Sequence, residues 1–324
     1  MKTLKTLLAL SLIGLGLAHN ATAQSFPNKP IRLVIGFPAG GPLDQHARLL
    51  TDKLTTALGQ PIIVDYKGGA GGIVGAQEVM KAPADGYTIM LANTGVMVIN
   101  GGLYSKLPYN TLKDFAPIAR TAMQPLALLV NPQVKANTLQ EFAAYAKANP
   151  GKINYGSAGN GGISHLVPEM FKTATGLFMV HIPYRGSAPA FQDLMGGQVQ
   201  FMAESIPQAA QYHKQGKVRA LAVTSRERNP ALPDVPTVME TKLVKDFDVV
   251  GFYGFLAPAG TPKDVVAKLS DAFKQVLALP DVRNRMISQG ADPAFLGSDD
   301  FAKFLTLESP KWAAAVRASG AKLD

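Results

Sequence analysis

Three short glycine-bearing loops are the parts of this chain best suited to chemistry. They are Phe37-Pro38-Ala39-Gly40-Gly41-Pro42, the run Gly156-Ser157-Ala158-Gly159-Asn160-Gly161-Gly162, and Tyr184-Arg185-Gly186-Ser187. Each lies between residues that read as a strand and residues that read as a helix. At such a junction the first amides of the helix lack an intrahelical acceptor and sit at the positive end of the helix dipole. That is a place for an anion, and glycine lets the main chain approach it closely. Ser157, Asn160 and Ser187 can add side-chain hydrogen bonds. The chain has no G-x-x-x-x-G-K-[ST], and its glycines at 68–75 do not follow a strand in G-x-G-x-x-G order. The sequence therefore argues against a nucleotide cradle and leaves a carboxylate or a small phosphate.

Other side chains could act beside these loops. Glu204 follows a strand at 200–203 and can receive an ammonium or a hydroxyl, whereas Arg185 can pair with a second carboxylate. Phe37, Tyr184 and Tyr253 can wall a pocket, and Trp312 reads as packing. Ser157 and His165, eight residues apart, could serve as nucleophile and base. The G-x-S-x-G elbow fails, however, because Tyr155 stands where the first glycine belongs. A secreted serine hydrolase at Ser157 and His165 is thus the alternative to a binding protein, and it would need a third residue to orient the imidazole. His46, His165, His181 and His213 show no metal-ligand spacing, and there is no cysteine. Neither a metal nor a cofactor is expected.

The elements that must position these loops follow from hydrophobic spacing. Residues 31–35 read as a buried strand, and Leu43, Ala47, Leu50, Leu54 and Leu58 recur at helical intervals behind the first loop. Strands at 61–65 and 87–92, with a short helix at 74–80, complete a first α/β unit. The same order begins again at 126–130. A helix capped by Thr138 is followed by strands at 152–155, 179–182, 200–203 and 218–224, with a further helix capped by Ser187. Strands joined by helical crossovers imply mostly parallel sheets with both faces covered. The last segment, a strand at 249–257 and amphipathic helices, has too few strands for a third sheet and must return to the first. Residues 24–124 and 249–324 then form one lobe and 125–248 the other. The chain crosses between them near 122–126 and 246–250, and two crossings make a hinge over a cleft.

The 324 residues, 47% of them hydrophobic, supply ample core for two lobes. Lys2 and Lys5, an apolar run at 7–18 and Ala21-Thr22-Ala23 have the order of a secretory signal peptide cleaved after Ala23. With no cysteine to carry a lipid anchor, an exported, periplasmic protein is expected. The formal net charge is +9, but the lysines and arginines are spread thinly, which argues for a basic surface that draws in small anions rather than for nucleic acid.

Several short motifs stand together in a familiar order. They are Ile35-Gly36-Phe37-Pro38-Ala39-Gly40-Gly41-Pro42-Leu43-Asp44, Gly69-Ala70-Gly71-Gly72, Ala84-Asp85-Gly86-Tyr87-Thr88, Leu107-Pro108-Tyr109, the run 155–161 with His165-Leu166, Pro183-Tyr184-Arg185-Gly186, and Ala257-Pro258-Ala259-Gly260-Thr261-Pro262. The chain resembles the Bug proteins, periplasmic solute receptors of tripartite tricarboxylate transporters. The resemblance implies a two-lobed, type II Venus-flytrap periplasmic-binding-protein fold that closes on a small carboxylate. It also implies delivery to one large and one small membrane subunit, by a monomer. A receptor that feeds a signalling sensor fits the same resemblance. It places the carboxylate on Phe37, Ala39, Gly40 and Asp44 of the first lobe and on Ser157, Asn160 and His165 of the second, with Asn93 and Thr94 also lining the cleft. Arg185 stands where many relatives carry lysine, and Glu204 where many carry aspartate or asparagine. These two positions, beside Tyr184, are expected to choose the distal part of the ligand. Pro168 lies so soon after His165 that the helix there is expected to begin late or to kink.

Overall fold

The computed structural model describes residues 26–323; the expected signal peptide and its cleavage site at Ala23 lie outside that range. The chain begins with β1 (Ile31–Ile35), α1 (Pro42–Leu58), β2 (Ile62–Tyr66), α2 (Ile73–Met80) and β3 (Thr88–Asn93). Two one-turn helices, α3 (Asn100–Leu103) and α4 (Thr111–Asp114), lead to β4 (Phe115–Gln124). Next come β5 (Leu126–Val130), α5 (Leu139–Ala148), β6 (Asn154–Ser157), α6 (Ile163–Thr175), β7 (Val180–Pro183), α7 (Ser187–Gly196), β8 (Phe201–Ser205), α8 (Ile206–Lys214) and β9 (Arg219–Val223). The last part holds β10 (Gly251–Pro258), α9 (Lys263–Leu277), α10 (Pro280–Ser288), β11 (Asp292–Gly297) and α11 (Ser298–Ser319).

These strands form two sheets, one of six strands in the order β11-β4-β10-β3-β1-β2 and one of five in the order β7-β6-β8-β5-β9. The sheets are mixed rather than mostly parallel. β1 pairs in parallel with β2 and β3, and β6 with β7 and β8, while β3–β10, β10–β4, β4–β11, β5–β8 and β5–β9 are antiparallel. The reason is the connection: helical crossovers return the chain for parallel pairing, but β4 runs straight into β5 with only Pro125 between them. The return passage lies alongside. Gly251 pairs with Gln124. Buried Thr224 ties both passages, since its Oγ1 accepts from Leu126 N–H (3.0 Å) and its carbonyl from Val249 N–H (3.1 Å).

Strands β4 and β11 escape the hydrophobic pattern. Pro117 and Arg120 interrupt the first, and Pro293 the second. A proline has no amide to give a ladder, so it is tolerated where pairing is irregular. Pro117 lies opposite a register shift in β10, and Pro293 beside one in the β11–β4 pair. The α6 helix starts at Ile163 and carries Pro168 within it, so it does not begin late. Ser187 does not cap α7, because Gly186 holds the cap position and Ser187 Oγ donates instead to Glu204 Oε2 (2.5 Å).

The core has three parts. One packs α1, α9 and α10 on the six-stranded sheet, and a second packs α7 and α8 on the five-stranded sheet. The largest runs through both, from Val34 and Met90 to Leu128 and Phe201, and includes Trp312 of α11. Trp312 is fully buried and donates Nε1–H to Glu308 (2.8 Å), which bears out its packing role.

Candidate functional site

Between the ends of the two sheets lies a cavity of about 800 Å³, within the range of small-molecule sites. Five helix starts contribute to its wall: Pro42 and Gln45 of α1, Gly71 just before α2, Gly161 and Gly162 before α6, Ser187 of α7, and Ser205 with Gln208 at α8. None of the five has a side-chain cap, in contrast to α5, where Thr138 accepts from Glu141 N–H. The start of α6 therefore keeps its dipole end available to an anion, whereas Asp44 stands in the first turn of α1 and Glu204 meets Ser187 and Ser205 at the starts of α7 and α8. Among the described residues the wall has no lysine, arginine or histidine, and its one carboxylate is Glu204.

Of the residues singled out from sequence, Phe37, Asn93, Thr94, Asn160 and Glu204 line this cavity, as does Tyr253. Asn93 Oδ1 accepts Val96 N–H (3.1 Å), and Thr94 Oγ1 both accepts from Phe252 N–H (2.7 Å) and donates to its carbonyl (3.2 Å). Thr94 is thereby committed to fixing the end of β3 against β10. Asn160 is exposed to the cavity and reaches the Lys322 carbonyl (3.5 Å).

The remaining candidates stand elsewhere. Ala39 and Gly40 are exposed on the outer loop, and Gly40 N–H donates to Asp44 Oδ2 (2.7 Å). Asp44 is buried and turned away from the cavity wall; its Oδ1 accepts from the Tyr66 hydroxyl (2.6 Å) and lies 2.9 Å from Arg48 Nε. Burial pushes this carboxyl up, but the bonds from Tyr66, Gly40 and Arg48 outweigh it and hold it below the usual value. Tyr184 donates its hydroxyl to Asp193 (2.6 Å), and burial first and that bond second push it up to about 12. Arg185 is exposed and outside the cavity wall.

Ser157 and His165 sit behind the wall. Ser157 is fully buried, and the imidazole it meets is that of His181, with Oγ and Nε2 2.6 Å apart. His165 instead accepts Gly161 N–H on Nδ1 (3.0 Å). The two imidazoles stack with ring centres 3.6 Å apart and planes almost parallel, and the Tyr155 ring lies 4.9 Å from His181 and 6.3 Å from His165. Burial lowers both to about 4, helped for His165 by the Lys172 charge and for His181 by His165 itself. Tyr155 donates to Glu169, which also meets Lys172 (2.6 Å). The serine and histidine of the hydrolase alternative are therefore not partners in a dyad. They are two supports of one loop.

Several wall residues have no local signal in the sequence. Gln45 is one helix position from Asp44, a rotation of about 100°. Asn100 donates Nδ2–H to the Gly71 carbonyl (3.2 Å) and so fixes the start of α2. Gln289 and Gly290 arrive from the far end of the chain. A side chain at Gly290 would overlap Pro207, and one at Gly161 would overlap Leu103, so residues far apart in sequence meet at the cavity wall.

Comparison with known proteins places this geometry. The profile of the tripartite tricarboxylate transporter family receptor matches residues 46–321. The protein BugT of Bordetella pertussis is 34% identical over 324 residues, covering 100% of this chain and 99% of its own. Among solved structures, MatC from Rhodopseudomonas palustris with bound malate is 34% identical, covers 90% of this chain and 100% of its own, and superposes with a TM-score of 0.73. The R. palustris protein Rpa4515 with adipate is 30% identical, covers 92% of this chain and 100% of its own, and has a TM-score of 0.78.

Proposed function

The chain belongs to the tripartite tricarboxylate transporter receptor family, and from that premise we propose that it captures a small carboxylated metabolite in the periplasm and releases it, chemically unchanged, to a large and a small membrane subunit. The observation that supports this most is the cavity wall itself: several uncapped helix starts and no basic side chain among the described residues. Such a wall holds an anion by amides, dipoles and bound water. The relatives with malate and adipate favour a carboxylate over a phosphate.

On this reading residues 24–124 with 249–324 and residues 125–248 are two lobes of an exported monomer that rotate about the paired passages at Thr224. A ligand bridging Phe37, Asn93 and Thr94 on one side and Asn160 and Glu204 on the other favours the closed state by its differential affinity. Ser157 and His165 act indirectly, by setting the amides of the loop at 158–162.

Native mass spectrometry of the purified protein, followed by melting in a panel of carboxylates, tests the proposal. A small acid should co-purify, and a ligand at a hundred times its dissociation constant should add about 2.7 kcal/mol of stability. Asn160→Ala should weaken that ligand without changing the melting of the unliganded protein. No stabilisation by any carboxylate would overturn the function, and unchanged affinity in Asn160→Ala would overturn the site.

A further inference from the structure

Glu204 sets the negative charge of this cavity's wall. Only 8% of it is exposed, it is the one carboxylate in the wall, and among the described residues no lysine, arginine or histidine of the wall offsets it. Two groups hold it in place: Ser187 Oγ donates to Oε2 (2.5 Å), and Ser205 N–H donates to Oε1 (2.7 Å). Ser187 opens α7 and Ser205 precedes α8. The positive ends of these two helices are therefore already met by an anion that belongs to the protein. A carboxylate has about four acceptor positions, so two remain for a donor on the ligand.

Of the other helix starts in the wall, that of α1 has Asp44 in its first turn, whereas those of α2 and α6 have no acidic residue in theirs. Gly71, Gly161 and Gly162 present main chain to the cavity, with Asn100 and Asn160 beside them. The wall thus holds main chain that can receive negative charge and one side chain that supplies it. A solute with a carboxylate at both ends would bring its second charge to Glu204, where like charges repel in a poorly solvated space.

We infer that the preferred solute is a monocarboxylate carrying an ammonium or hydroxyl donor at its far end, that Glu204 is the residue which selects this donor, and that dicarboxylates are disfavoured. The inference rests on the reading of the cavity as the solute site, and it concerns what the second end of the solute must be.

Calorimetric titration with unbranched acids of four, five and six carbons tests it, the far end being methyl, hydroxyl, ammonium or carboxylate at each length. At the length that binds best, the ammonium or hydroxyl acid should bind at least tenfold more tightly than the dicarboxylate. Glu204→Gln should reduce the advantage of the ammonium acid at least tenfold and improve the dicarboxylate. If the dicarboxylate binds most tightly to the unaltered protein, the inference is overturned while carboxylate capture stands. Should Glu204→Gln fail to fold, the ranking measured on the unaltered protein decides by itself. Binding of none of the acids would overturn both readings together.

Discussion

The loop after β1 and the loop after β6 have the same pattern in sequence, strand then glycines then helix, yet the structure secures them by opposite means. In the first, exposed Gly40 is tied to the Asp44 carboxylate, which in turn holds Tyr66 and the largely exposed Arg48. In the second, Gly161 N–H ends on the neutral His165 ring, Gly159 N–H on Ser157 Oγ (3.3 Å) and Ala158 N–H on Ser164 Oγ (3.0 Å). Behind them the stacked His181 supports both His165 and Ser157. These supports take up three amides of the second loop, so what they leave for a ligand is its remaining amides and the start of α6. A charged support at the rim is screened by water and leaves the loop room to adapt. A buried neutral support adds no charge that would compete with the ligand, and it fixes the direction of each amide. On the proposed function, the second loop is therefore the preset half of the grip and the first the adjustable half.

Acid should break the preset half first, and this is the largest effect expected. Both imidazoles have folded values of about 4, below the value near 6.5 of an exposed histidine. Between those limits the unfolded chain binds more protons, so their contribution to stability is complete above pH 6.5 and is lost as the pH falls toward 4. Each can remove at most about 1.4 kcal/mol per pH unit, or about 2 kcal/mol between pH 7 and 5. Protonated His165 would also turn a second donor toward Gly161 N–H and disturb the loop. Glu169 and Lys172, the charged residues facing the pair, meet each other and largely cancel. Urea unfolding at pH 7 and 5 should show this fall, and a His165→Asn and His181→Gln double variant should lose at least half of it. Buried His46, lowered to about 3 by desolvation, accounts for part of the remainder. An undiminished fall in the double variant would remove the distinction between the loops.

A smaller effect should follow Gly161→Ala. The position has φ +73°, and an added Cβ would lie 2.7 Å from Leu103 Cδ1 on the opposite half. The left-handed backbone costs about 1 kcal/mol or more, and the overlap pushes the loop away from Leu103. Affinity for the co-purified solute should fall at least tenfold, or about 1.4 kcal/mol. Gly161→Ala combined with Leu103→Ala should recover the part due to overlap. If closure is unaffected by the single change, the second loop is not preset.

Much of this architecture was legible in the sequence because it is local. The spacing of Leu43, Ala47, Leu50 and Leu54 and the strand at Ile31–Ile35 needed no partner to be read. What failed to show was set by distant contacts. β4 and β11 keep their prolines because each finds a register shift opposite or beside it. Asp44 and Gln45 illustrate the same limit at the site, since the residue that looked chemical turns back to Tyr66 and its neighbour faces the cavity. Ser157 and His165 flank the loop at 158–162, but that they hold it from behind depends on His181, which is on another strand. Glu204 lies within the last two residues of β8 and lines the cavity, a place that the strand pattern alone indicates.

The smallest effect, and the one that tests the adjustable half, belongs to Gly40→Ala. Gly40 has φ +81°, as left-handed as Gly161, but no atom lies within 4 Å of the place where a Cβ would go. Only the backbone cost of about 1 kcal/mol applies, and in a protein of this size that corresponds to a fall in melting temperature of about 2 °C. Because the loop is exposed and anchored through Asp44 rather than through a packed ring, it can take up the change without moving the start of α1. Affinity should stay within about threefold of the unaltered protein. The pair Gly40→Ala and Gly161→Ala thus carries the same covalent change at the same kind of backbone, and a difference in solute affinity between them measures how the two loops are held. Equal losses in calorimetric titration would mean that both loops are preset, and that the ionic anchor at Asp44 is as rigid as the stacked imidazoles.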